Sequence, residues 1–139
     1  MKTVIWYLLS FFTFFTFKVF GSDLQPDLAK INETNEYAIY LHESSIVNLP
    51  PDWKKVWLLK NYKINSIAPS PKVKSSRINL VFDCVGMTYY TLAVINYSEL
   101  DAQSKPILQL SSGFNPKEIA IENNRDYSLV FNRVCNKSK

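Results

Sequence analysis

The sequence predicts an α+β fold: an antiparallel β-sheet of about six strands with one C-terminal α-helix, closed by a single disulfide. Three observations predict it. Beyond residue 35, short segments alternate apolar and polar residues and are separated by polar, turn-forming stretches. The last apolar segment changes period: Tyr127, Val130, Phe131 and Val134 stand at i, i+3, i+4 and i+7, one stripe on a helix. The chain holds two cysteines, Cys84 and Cys135, behind an opening that reads as an export signal, so one disulfide is the expected state.

That opening is Met1-Lys2, the apolar run "VIWYLLSFFTFFTF", and "KVFGS". A short basic start, an apolar middle and small residues at the cut make a secretory signal over 1–21, cleaved after Gly21. The competing reading is a membrane anchor. Ser10, Thr13 and Thr16 interrupt the run, and it is shorter than the ~20 residues a spanning helix needs. No cysteine follows the cut, so a lipid-anchored N-terminus is not expected. Residues 22–35, polar and carrying Pro26, read as a flexible lead-in, which leaves 36–139 as the domain.

The elements follow in order. Glu36–Leu41 alternates Tyr37, Ile39 and Leu41 against Ala38 and Tyr40, a strand; Ser44-Ser45 then favours a turn, and Pro50-Pro51 stops any continuation. Trp53–Lys63 is a strand with Val56 and Leu58 on one face and Trp53, Trp57 and Leu59 on the other; the tryptophans are expected in a core. Pro69 and Pro71 make Asn65–Lys74 a loop. Ser75–Cys84 and Met87–Tyr97 form a hairpin around a tight turn at Val85-Gly86. Simple parity puts Met87, Tyr89, Ala93, Ile95 and Tyr97 on one face of the second strand. Short strands at Ile107–Leu110 and Glu118–Ile121 precede the helix. Asn123 or Asn124 suits its N-cap, and Asp126 suits its first turn. Cys135 at the helix end would tie it to the end of the Cys84 strand.

Catalytic chemistry finds little support in these residues. Cys84, Asp83 and His42 could be imagined as a thiol set, but a disulfide leaves no thiolate to attack. A zinc site needs three or four ligands, and one histidine with two committed cysteines does not supply them. Three glycines, Gly21, Gly86 and Gly113, exclude a glycine-rich phosphate loop. No cofactor is expected.

Charge is more informative. Losing Lys2 and Lys18 with the signal lowers the formal charge from +4 to +2. That total hides a dipolar chain. Ser22–Asp52 has a net of −5, whereas Trp53–Phe82 carries Lys54, Lys55, Lys60, Lys63, Lys72, Lys74 and Arg77 with no acid. These seven cations, with Trp53, Trp57 and Tyr62 among them, are the candidate binding surface, and Lys55, Lys63 and Arg77 are expected to share a sheet face. Sulfated glycans, acidic matrix segments or anionic envelope polymers suit such a surface. The bland reading is a solvated face balanced by the acidic N-terminal segment. Nucleic acid is a poor partner for an exported chain of small net charge.

One further observation bears on function. "VWLLKNYK" at Val56–Lys63, "SSRINLVFDC" at Ser75–Cys84, "YS" at Tyr97-Ser98 and the late Cys135 follow one another in an order that resembles the bacterial surface-adhesin protein E family. The resemblance covers about Tyr37 to Cys135. It implies an antiparallel sheet backed by a disulfide-tethered helix. It also implies adhesion to host extracellular-matrix proteins such as vitronectin and laminin, and to epithelial cells. In a bacterial chain the glycosylation patterns at Asn32, Asn96 and Asn136 are chance matches. The expected function is therefore a non-enzymatic exported binding protein at the periplasm, cell surface or outside the cell. The alternative is a periplasmic structural or envelope-assembly component with no host ligand. A homodimer through an edge strand is compatible with either.

Overall fold

A pleated strand sends successive side chains to opposite faces, and this chain uses that rule to build one antiparallel sheet. The computed structural model describes residues 27–64, 68–113 and 116–136; the signal expected over 1–21 lies outside them. Six strands neighbour one another in chain order: β1 (Leu28–Glu33), β2 (Tyr37–Leu49), β3 (Trp53–Tyr62), β4 (Ser75–Asp83), β5 (Thr88–Tyr97) and β6 (Pro106–Ser111). A two-residue β7 (Ile119–Ala120) pairs with β5 at Thr88 and Tyr89. The helix α1 (Arg125–Cys135) closes the chain.

The helix packs on one face of this sheet. Its stripe of Val130, Phe131 and Val134 is buried against Ile39, Leu41, Val56, Leu58, Leu80 and Phe82. Phe131 meets Phe82 edge-on at a centroid separation of 5.9 Å, and Tyr127 meets Tyr89 at 5.0 Å. Asn124 is the N-cap, its side chain accepting from the Tyr127 N–H. Asp126 is buried, and it also anchors the helix start to the sheet: Tyr37 Oη donates to it at 2.6 Å and Asn32 Nδ2 at 2.7 Å. At the other end, Arg133 donates to Glu43, and Cys135 is bonded to Cys84 as expected.

The structure corrects several expectations. The lead-in contains a strand: β1 lies in 22–35 and pairs with β2 from Leu28↔His42 to Glu33↔Ala38. Strand β2 does not stop at Leu41. It runs through Ser44-Ser45 to Leu49 with a bulge between His42 and Val47, and Ser45 Oγ takes the Trp57 N–H there. A serine pair expected to turn the chain instead fills the bulge, because its hydroxyls can stand in for ladder partners. The hairpin after β4 is also longer than a tight turn at Val85-Gly86. It spans Cys84–Met87, with Met87 as its left-handed residue (φ 54°).

A second bulge reverses part of β5. Asn79 pairs with Ala93 but Leu80 pairs with Thr91, so Leu92 is an extra residue. Tyr89, opposite Phe82, therefore lies on the helix side, while Ala93 and Ile95 lie on the other. Unbroken parity would have kept all three together.

Candidate functional site: the open face of the sheet

The face away from α1 carries the odd-numbered residues of β3 and β4. Register places Trp53, Lys55 and Trp57 beside Asp83, Val81 and Asn79, with Arg77 one pair further on. Tyr90 joins them from β5 and Tyr40 from β2. Among the described residues the short segment Leu100–Ala102 packs at one end of this face, where Asn61 and Asp101 exchange hydrogen bonds. The centre stays open. Trp53 and Trp57 are half-buried members of it, not core residues as expected. Helix and core take the even residues of β3, so the odd aromatics are left to cover Ala38, Leu59 and Val81 from the outside.

Side-chain contacts organise the open face into two platforms. The Arg77 guanidinium lies over the Trp57 ring, 5.0 Å from its centroid. Trp53 and Tyr90 lean together at 5.8 Å. Lys55 stands between the two tryptophans on β3. At the margin, the Lys30 ammonium is 5.9 Å from the Tyr40 ring centroid, and it pairs with Glu33. No ion pair engages Lys55 or Arg77 among the described residues. One buried acceptor on this face, Asn79 Oδ1, has no donor among the described residues.

The seven cations singled out in the sequence do not form one surface. Lys55 and Arg77 share the open face. Lys54 and Lys60 point to the helix side. Lys54 Nζ donates to Asn48, and Lys60 Nζ sits 3.6 Å from the Tyr37 ring centroid, where desolvation holds its pKa below the usual lysine value. Lys63 lies past the end of β3, bonded to Glu33 and to the Thr34 carbonyl. Lys72 and Lys74 are exposed in the segment leading into β4. Strand parity separates Lys54 from Lys55, and local acceptors take Lys54 and Lys63 out of the free charge. What sequence reading missed is Tyr40 and Tyr90. Their signal was available: each sits on the odd face once the strand registers are known.

Other chemistry-bearing residues are occupied structurally. Both cysteines are in the disulfide, and no free cysteine remains. Asp83 Oδ1 accepts the N–H groups of Val85 and Gly86. His42 Nε2 meets Asp27 at 2.8 Å, and Ser44 donates its hydroxyl and N–H to the same carboxylate. Histidine and hydroxyl converge on the acid and do not relay a proton between them. The Ser44 hydroxyl, first, lowers the Asp27 pKa. Among the described residues no group of three acidic, histidine or cysteine side chains could hold a metal.

Comparison with known proteins places this arrangement. The sequence model of a family described as surface-adhesin protein E matches residues 28–136. A crystal form of Haemophilus influenzae protein E superposes with a TM-score of 0.60 at 15% identity, covering 86% of this chain and 95% of that one. The selenomethionine form gives 0.59 at 15%, covering 84% and 92%. Protein E from non-typeable Haemophilus influenzae gives 0.55 at 14%, covering 84% and 80%. At such identity the structures share the fold. No curated protein sequence matches the chain.

Proposed function

Because the chain belongs to the surface-adhesin protein E family, we propose that it is a non-enzymatic adhesin, exported to the cell surface, that holds a host extracellular-matrix component of the vitronectin or laminin kind. The observation that supports this reading is the open face. It presents Trp53, Trp57 and Tyr90 with two cations, Lys55 and Arg77, that no acid of the chain neutralises among the described residues. Aromatic anchors beside unpaired charge are the residue types that carry binding energy at protein surfaces. The test is capture of the mature protein by immobilised vitronectin and laminin at low and high salt. The Lys55→Glu, Arg77→Glu double variant is expected to lose capture and its salt dependence. Unchanged capture by that variant would remove the electrostatic part of the proposal.

A second reading, a periplasmic assembly component, draws on β6. All six of its residues are exposed, and Ile107, Leu108 and Leu110 present apolar surface on a terminal strand of the sheet. Such an edge suits strand pairing, including pairing of two copies. Protease added to intact cells separates the readings: a fully shielded protein favours the periplasm, a digested one the surface.

A further inference from the structure

We infer that the open face binds a sulfated glycan chain of the host matrix, with Trp57 and Arg77 as its grip. This rests on the adhesin reading and names the chemistry of its ligand. A sulfated glycan offers three things at once: sugar rings whose C–H faces pack on indoles, sulfate oxygens that accept from cations, and hydroxyl donors. The face has a complement for each. Trp57 and the Trp53–Tyr90 pair are stacking platforms, about 13 Å apart because four residues of one strand separate the tryptophans. Arg77 lies over Trp57 at 5.0 Å and is in no ion pair among the described residues, so its guanidinium can take a bidentate oxyanion. Lys55 adds a mobile cation between the platforms. Asn79 Oδ1, lacking a donor among the described residues on a part-exposed side chain, can take one from a sugar hydroxyl by turning its amide outward.

Other occupants fit less well. A second copy placed face to face would oppose Lys55 and Arg77 to themselves, with Asp83 already committed to its turn. An added peptide strand needs a sheet edge, and this face lies between β2 and β5, which both have neighbours on either side. A plain anion uses neither the platforms nor the free acceptor.

The test uses the mature, disulfide-bonded protein. It is titrated with a short heparin oligosaccharide, its desulfated counterpart, and a single-stranded oligonucleotide of equal charge, followed by calorimetry and tryptophan fluorescence. The expected result is heparin binding that perturbs tryptophan emission and weakens with salt, with the other two at least about tenfold weaker. Trp57→Phe and Arg77→Gln each lower heparin affinity about tenfold, whereas Lys117→Ala does not. Circular dichroism checks that each variant is folded, and Lys55→Glu, on the half-buried outer face of β3, repeats the test should either variant unfold. Equal binding of the desulfated chain, stronger binding of the oligonucleotide, or wild-type affinity in the folded Trp57, Arg77 and Lys55 variants overturns the inference. Matrix capture that persists while heparin neither binds nor competes also overturns it and leaves the adhesin reading standing; loss of all capture overturns both.

Discussion

At the residue scale, acids that might have served chemistry are holding backbone and side chains in place. Asp83 is the clearest case. Its carboxylate accepts two successive N–H groups of the turn, which is why an acid precedes Cys84. Gly86 is required by the same arrangement, because a Cβ there would stand 2.7 Å from Asp83 Oδ2. Gly86→Ala is therefore expected to cost about 1 kcal/mol in urea unfolding, through loss of the Asp83 bonds. Acids and phenols also set the pH limits. Hydrogen bonds from Lys30, then Lys63, push Glu33 down to about 2, and Asp27 is lowered in the same sense. A lowered folded pKa stabilises above the unfolded value, so these contributions are lost as pH falls from about 4.5 towards 2. The hydrogen bond to Asp126 pushes Tyr37 up to about 12, and burial raises Tyr127. The stabilising effect of Tyr37 is complete below about pH 10 and is lost as pH rises through 12, and that of Tyr127 is lost in the same direction. Thermal unfolding across pH should thus fall at both ends, and Tyr37→Phe should flatten the alkaline limb. A backbone partner for Asp83 was legible in the sequence; the pairings of Asp126 were not, since Tyr37 and Asn32 lie 89 and 94 residues away from it.

At the scale of elements, the alternation of β3 and β4 and the stripe of α1 were legible because burial repeats with the period of the element. The helix stripe is the most secure example: Val130, Phe131 and Val134 are all buried. Phe131→Ala removes the ring facing Phe82 and should cost about 3–5 kcal/mol, read as a lower urea midpoint with the helix signal lost in the same transition. The errors sit where period fails. Strand β1 is short, polar and irregular, so its pattern carried no signal. The irregularity at His42/Val47 adds three residues to β2 and the bulge at Asn79/Leu80 adds one to β5; each switches the faces, and a local pattern does not announce extra residues. The candidate surface suffered from the same limit. A run of seven cations looked like one feature, but alternation dealt Lys54 and Lys60 to one face and Lys55 and Arg77 to the other.

For the whole molecule, the division of labour is between two faces of one sheet. The helix face supplies the hydrophobic core and the cystine. The open face carries Trp53, Trp57, Tyr90, Lys55 and Arg77. The cystine joins residues 51 apart, and loop-closure entropy assigns a link of that length about 4 kcal/mol. The Cys84→Ser, Cys135→Ser variant should lose about 2–4 kcal/mol of stability, seen as a lower melting temperature, with α1 freed from the end of β4. The same link has a consequence for survival among proteases. It closes a covalent ring that includes β5, β6, β7 and α1. Exposed Lys117 lies within the ring, in the connection between β6 and β7. Trypsin cutting after Lys117 opens the ring without releasing a fragment, and Pro106 shields the bond after Lys105. The nicked protein should migrate as a single species without reductant and as two pieces with it. A cut in that exposed connection leaves the sheet and α1 joined through the cystine.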